Sequence, residues 1–230
     1  MLDRKELTMP NMFQPPLGAS VYGTLLNHRE ALAALGDQVN LAPYKAPPKA
    51  PILYIKPRNT WAHNGDAVVV PSDVNALQMG ATLGLVIGRT ACKVSAANAF
   101  DHVAGYVVLN DISVPHDSFY RPSMRFKCRD GFCPIGAYVP SAAIANPDAL
   151  AVTVAIDGVV VQHTDTGGRI RSVAQLLADV TEFMTLHSGD ILSIGVSAHA
   201  PLAHAGQRVT ISIEGVGQLD NVLVAAEELV

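Results

Sequence analysis

The feature that most limits what this chain can become is a succession of short Val- and Ile-rich runs, at 67–70, 81–87, 103–109, 152–156, 159–162, 191–194, 209–213 and 218–224. β-Branched side chains are stiff at their first torsion and pack well on a pleated surface, so these runs predict strands. Gly, Pro, Asp and Asn punctuate the chain between them. Asp157-Gly158, between two of the runs, is the dipeptide of a two-residue hairpin turn. The stretch 213–219, with Gly215 and Gly217, reads as a second hairpin with a longer turn. A compact antiparallel or mixed sheet system follows.

Helical periodicity is confined to two stretches. In 27–36, Asn27 can cap a helix and Gly36 can end it. In 172–186, Val173, Leu176, Leu177, Val180, Phe183 and Met184 recur at helical spacing behind Ser172, a suitable N-cap. Upstream, 21–26 reads as a short buried strand, and Pro43, Pro47, Pro48 and Pro51 stiffen a linker into 52–57. The first 20 residues or so are polar and proline-bearing, and predict an irregular arm. No internal repeat and no doubly wound strand–helix alternation is present. The fold class is α+β, mainly β, with few helices.

Composition excludes several classes of function. A hydrophobic fraction of 49% over 230 residues is ample for a sizeable core. Sixteen basic against twenty acidic residues give a net charge of −4, and no basic patch points to nucleic acid. The longest apolar runs fall far short of a membrane span. The opening Met1-Leu2-Asp3-Arg4-Lys5-Glu6 has mixed charge and no apolar stretch after it, unlike a secretory signal. Cys92, Cys128 and Cys133 are odd in number and lack metal-site spacing, which fits a reduced, cytoplasmic protein.

Against this weakly charged background, one stretch gathers Asp111, His116, Asp117, Arg121, Arg125, Lys127, Arg129 and Asp130. It is either a solvated loop or the floor of a polar pocket. Charges of both signs packed between apolar runs favour the pocket, because buried charges are rare unless paired. Asp111 ends an apolar run, where it can present an acid or simply cap a turn. Lys127 and Asp130 can pair, or remain an exposed couple worth under about 1 kcal/mol. Arg121 suits bidentate carboxylate recognition, or packs over Tyr120. His28 has the chemistry of a general base with Glu30 close by, or is a surface histidine at a helix start. His199 and His204, around Pro201, have no reading beyond loop residues. No phosphate-binding glycine loop, serine elbow or zinc-type Cys/His set appears.

From about residue 50 the chain resembles the fumarylacetoacetate hydrolase superfamily, through pieces in family order. These are Leu53-Tyr54-Ile55-Lys56-Pro57, Leu85-Val86-Ile87-Gly88-Arg89, Val103-Ala104-Gly105-Tyr106 and Asn110-Asp111-Ile112-Ser113. Then come Lys127 with Asp130-Gly131-Phe132-Cys133-Pro134-Ile135-Gly136, Ser172-Val173-Ala174-Gln175-Leu176, Phe183-Met184-Thr185-Leu186, Gly189-Asp190 and Ile213-Glu214-Gly215-Val216-Gly217. Phe119-Tyr120-Arg121-Pro122 and Cys128-Arg129-Asp130-Gly131 resemble the homoprotocatechuate (4-hydroxyphenylacetate) branch, in the amino-terminal of its two homologous halves.

The resemblance implies a mixed β-roll. Residues 1–50 would form an arm and a small lid-like portion, and 51–230 a catalytic domain. It implies an isomerase of 2-hydroxyhepta-2,4-diene-1,7-dioate and a decarboxylase (a lyase) of 5-carboxymethyl-2-oxo-hex-3-ene-1,7-dioate. A silent structural partner of a metal-bearing homologous subunit and an acylpyruvate-type hydrolase are the competing readings. Partners would be a small 2-oxo or 2-hydroxy dicarboxylate and further copies or homologues of the chain. By the same resemblance His28, Glu30, Asp111 and Lys127 are catalytic, and Tyr120, Arg121, Arg129, Asp130 and Lys56 bind substrate.

The family holds Mg²⁺ or Mn²⁺ with a Glu-x-Glu pair and a later Asp. Asp111 matches the later Asp, but Gly80 and Thr82 stand in the two Glu positions. A hard cation wants carboxylate oxygens, so tight binding of a divalent metal is not expected here. Val196 stands where many members have a Thr that holds the substrate carboxylate.

Overall fold

The computed structural model describes residues 15–16, 18–116, 119–120 and 123–229. Strands in chain order are β1 (Val21–Leu25), β2 (Ile52–Lys56), β3 (Trp61–His63), β4 (Ala67–Val70), β5 (Leu77–Gln78), β6 (Ala81–Ile87) and β7 (Val103–Asn110). There follow β8 (Cys133–Pro140), β9 (Ala151–Ile156), β10 (Val159–Asp165), β11 (Ile191–Ser193), β12 (Leu202–Ala203), β13 (Arg208–Ile213) and β14 (Gly217–Ala225). The helices are α1 (Arg29–Ala33), α2 (Met124–Lys127) and α3 (Val173–Phe183), with short 3₁₀ turns between elements.

The larger sheet has the order β2-β1-β11-β6-β7-β8-β3 and the smaller β10-β9-β13-β14-β4, with a ribbon β12-β5 beside them. Pairing is antiparallel except at β1/β11, β3/β8 and β14/β4, so the system is mixed. It is mainly β with few helices, a curled β-roll.

Alternation shows where the core lies. Val152, Val154 and Ile156 of β9 and Val209, Ile211 and Ile213 of β13 point one way, into a core shared with Leu83, Leu85 and Ile87 of β6. Val173, Leu176, Leu177 and Val180 of α3 close that core. On the other face of β6, Val86 packs with Val21, Val107, Leu109, Ile135 and Ile191. Covered on both faces, β6 has no polar alternation and reads as one apolar run. Each large aliphatic side chain so buried stabilises the fold by about 1.5–3 kcal/mol.

The Asp157-Gly158 turn forms as expected, with φ of +51° and +80°, both positive as a hairpin turn of this length requires. Ser172 caps α3 by accepting a hydrogen bond from the Gln175 amide. The second helical stretch is shorter than predicted and stops at Phe183, because Met184 is extended.

Two expectations are corrected. The 27–36 helix is only α1, continued by a 3₁₀ turn at Gly36–Asn40, and Asn27 does not cap it. Its amide instead donates to the carbonyls of Ile194 (2.9 Å) and Arg171 (3.2 Å) and accepts from the Arg171 amide (3.0 Å). Tertiary partners claim the group a cap would need. Strand β8 was not anticipated, since Pro134, Gly136 and Pro140 are poor strand formers. Pairing with β7 and β3 holds it in the sheet regardless. Within the first fifty residues, β1 is an internal strand of the larger sheet and α1 lies over a cavity.

Candidate active site

β7 ends at Asn110, and the next residue is pinned to the neighbouring strand. The Asp111 amide donates to the Gly80 carbonyl (2.8 Å), and the Gly80 amide donates to Asn110 Oδ1 (2.9 Å). Asp111 is thereby held with 4% of its surface exposed. Its Oδ2 accepts from the Tyr54 hydroxyl and from Lys127 Nζ (3.1 Å), and Lys127 also lies 4.8 Å from the Tyr54 ring centre.

Lys56 Nζ sits 2.8 Å from Asp111 Oδ1, yet its three protons go elsewhere. They are donated to the carbonyls of Ile112 (2.7 Å), Lys127 (2.8 Å) and Phe132 (2.8 Å). The contact with Oδ1 is therefore charge against charge, and no hydrogen bond reaches that oxygen among the described residues. Burial and the neighbouring Lys127 pull the Lys56 pKa down, but only the ammonium form has a proton for each of the three carbonyls. Burial pushes the Asp111 carboxyl up, and Lys127 draws it back. A carboxylate raised in this way is a stronger base than an ordinary one.

A cavity of about 220 Å³ opens onto Asp111, Lys127 and Tyr54. Gln78, Ser113, His116 and Phe119 continue one part of its lining, and Val196–Ala200 with Thr24–Leu26 another. Ala31 of α1, with Ala34 and Leu35 just after it, completes it. His116 stacks on Phe126 (4.8 Å between centres), and its Nδ1 lies 2.9 Å from the Val114 carbonyl. A carbonyl can only accept, so that nitrogen carries the proton. The buried Nε2, with no partner among the described residues, then presents a lone pair when the ring is neutral.

Of the residues picked from sequence, Asp111 and Lys127 come together on the cavity wall. Lys56 lies beneath them, buried, and its protons are consumed by the backbone, so its expected substrate contact is revised to a floor. His28 and Glu30 do not line the cavity: Glu30 is exposed, and His28 is packed beside Gly168 and Arg169. Burial and then Arg169 lower the His28 pKa. Arg129 grips Asp73 bidentately at 2.7 and 3.0 Å on the surface, and Asp130 accepts from Asn59. Neither is a cavity residue, which revises their reading as substrate contacts. Tyr120 is exposed and meets Tyr44 edge-on, outside the lining. Arg121 lies outside the described residues. Sequence reasoning missed Tyr54 and His116, although Tyr54 belongs to the Leu53–Pro57 motif and His116 to the charged stretch.

The divalent metal implied by the family does not fit the residues present. Thr82 does not line the cavity: its Oγ1 donates to the Gly195 carbonyl (2.8 Å) and meets Ser193 Oγ (3.1 Å). Gly80 has no side chain, and a Cβ there would collide with the Asp111 carbonyl oxygen. Two ammonium groups and a tyrosine hydroxyl already surround the carboxylate of Asp111. Among the described residues no group of three His, Cys, Asp or Glu is placed to hold a metal.

The mixed β-roll and a pocket built on a carboxylate at the end of β7 define a fumarylacetoacetate hydrolase-type protein. Residues 20–224 match the fumarylacetoacetate (FAA) hydrolase C-terminal family model, and the chain belongs to this family. The 4-hydroxyphenylacetate degradation bifunctional isomerase/decarboxylase of Escherichia coli is 40% identical over 210 residues, covering 91% of this chain and 48% of that protein. The chain thus spans about half the length of the curated relatives it matches. The 2-hydroxyhepta-2,4-diene-1,7-dioate isomerase of Mycobacterium marinum superposes with a TM-score of 0.74 at 27% identity, over 92% of this chain and 77% of the other. Fumarylpyruvate hydrolase of Pseudomonas aeruginosa, solved with Mn²⁺ and pyruvate, gives 0.77 at 22% identity, over 94% and 96%, a likeness of fold alone.

Proposed function

We propose that this chain isomerises 2-hydroxyhepta-2,4-diene-1,7-dioate in 4-hydroxyphenylacetate breakdown, through acid–base groups of its own. The observation that carries the reading is the Asp111–Lys127–Tyr54 cluster opening onto the cavity, with His116 on the same lining. The reaction removes the proton of the 2-hydroxyl and adds one at C5, so the double bonds shift and no co-reactant is consumed. Asp111, a carboxylate with raised proton affinity, and His116 Nε2 are two groups that can hold that proton. Two carriers let it leave at one end of the conjugated system and return at the other. Lys127 faces the oxygen on which dienolate charge builds, stabilising it from within a partly dry site. In the companion decarboxylation the carboxylate on C5 leaves as CO2, and its bonding pair shifts through the C3–C4 double bond to the 2-oxo oxygen. The same cation would stabilise the dienolate so formed, and a proton taken up on that oxygen gives the dienol.

The purified chain is assayed for loss of the dienol's ultraviolet absorbance, with and without EDTA. Turnover indifferent to EDTA is expected. It should fall roughly 10²–10⁴-fold in Asp111→Asn and Lys127→Met, the usual weight of positioned acid–base groups, and substantially in His116→Gln. Turnover that vanishes in EDTA would sink the reading. The missing carboxylates at Gly80 and Thr82 favour a second reading, a silent partner of a metal-bearing homologous subunit. Activity appearing only when such a subunit is added would establish it.

A further inference from the structure

Behind the cavity lining lies an arginine without a carboxylate partner among the described residues. Arg169 is 4% exposed, in the segment between β10 and α3. That segment is tied to the start of α1: the Arg29 amide donates to the Gly168 carbonyl (2.9 Å) and the Ile170 amide to that of Asn27 (2.8 Å). The guanidinium donates from Nη1 to Ser197 Oγ (3.3 Å), while Nε is buried and unpartnered. Burial lowers its pKa to about 10, so it stays cationic at neutral pH. Asp165 and Asp148 oppose that shift without forming an ion pair with it. A buried charge with no ion-pair partner is costly, and an arriving anion reduces that cost.

Ser197 is the link to the cavity, which it lines between Val196 and Ala198. Its Oγ accepts long hydrogen bonds from Arg169 Nη1 (3.3 Å) and from Thr164 Oγ1 (3.4 Å). The proton of Ser197 is left to donate, with a positive charge directly behind the oxygen. A hydroxyl so polarised is a donor suited to a carboxylate.

We propose that Ser197, backed by Arg169, is a carboxylate subsite of this cavity, separate from Lys127, and that the cavity selects dicarboxylates by engaging both ends. Ser197 makes the contact, and Arg169 is a positioning residue that supplies the charge. The proposal rests on the dicarboxylate reading above and adds which residues meet the second acid group.

Calorimetric titration of the purified chain with heptanedioate and with heptanoate tests it. The wild type is expected to prefer the diacid. Ser197→Ala and Arg169→Met should each weaken heptanedioate binding roughly 10- to 100-fold, the value of a hydrogen bond to a charged group, and leave heptanoate unchanged. Arg169→Lys should restore part of the preference, which a merely structural role would not predict. Equal losses for both ligands, unchanged diacid affinity in Ser197→Ala, or a wild type that binds neither acid would overturn the subsite. Should Arg169→Met fail to fold, Ser197→Ala carries the test. Diacid preference without dienoate turnover keeps the subsite and rejects the isomerase; turnover without the preference does the reverse.

Discussion

Replacing Lys56 with methionine keeps most of the side-chain volume and removes one buried charge. The ammonium donates to three carbonyls at 2.7–2.8 Å and stands 2.8 Å from Asp111, with 2% of the residue exposed. The substitution leaves the carbonyls of Ile112, Lys127 and Phe132 without that donor. Each loss costs about 1 kcal/mol, the low end for an unsatisfied buried group, since a carbonyl with a second lone pair tolerates it best. Taking a cation from Asp111 adds about 1–2 kcal/mol, and relief from burying the ammonium offsets part of the sum. The net loss should be about 3–4 kcal/mol, or a fall in Tm of about 10 °C at this chain size. Urea unfolding reads it as a lower midpoint at unchanged slope. Ile55→Ala, at an exposed neighbour on the same strand, is the control and should stay within about 0.5 kcal/mol. A loss below about 1 kcal/mol for Lys56→Met would refute the reasoning, because the floor beneath Asp111 would then stand without its ammonium.

Gly80→Ala should cost about 1–3 kcal/mol in the same assay, because its Cβ meets a backbone oxygen and not a side chain that can swing away. Restoring both carboxylates with Gly80→Glu and Thr82→Glu should still give no stoichiometric Mn²⁺ site by electron paramagnetic resonance titration; a tight, saturable site would contradict the fit argued from Asp111. His28, whose folded pKa lies below 6.5, binds fewer protons in the native than in the unfolded state. Its contribution to stability is therefore present above pH 6.5 and lost as pH falls through the folded pKa. In Arg169→Met the His28 ring should titrate higher in an NMR pH series, and an unmoved pKa would deny the Arg169 contribution.

Much of the sheet system was legible because its strands are written in Val and Ile, and the Asp157-Gly158 turn is specified by residues that accept positive φ. β8 was hidden by its own prolines and glycine, since only pairing with β7 and β3 reveals it as a strand. In the site, Asp111 and Lys127 could be singled out by type and position in the chain. Arg129 was misjudged because its partner, Asp73, lies 56 residues away, and spacing carries no trace of that pair. Tyr54, His116 and Ser197 share the same obscurity. Each is a polar residue without an assigned role until the sheet brings a carboxylate, an aromatic face or a guanidinium against it.

The place of β1 in the larger sheet bears on how the molecule comes to be folded. The bond from the Ser20 amide to Asp190 spans 170 residues, and the Thr24 and Asn27 side chains reach across to 193–194 over similar separations. Loop-closure entropy must be met before such contacts repay it, so a chain of this topology belongs with slow folders, on a timescale of milliseconds to seconds. During synthesis the early strand has its antiparallel neighbour β2 soon after it emerges, but waits for β11 until most of the chain has left the ribosome. The lining contributed by Thr24–Leu26, by Ala31, Ala34 and Leu35, and by 196–200 is thus assembled at the end of folding, and the β11-facing edge of β1 stays open to chaperones or to mispairing until then.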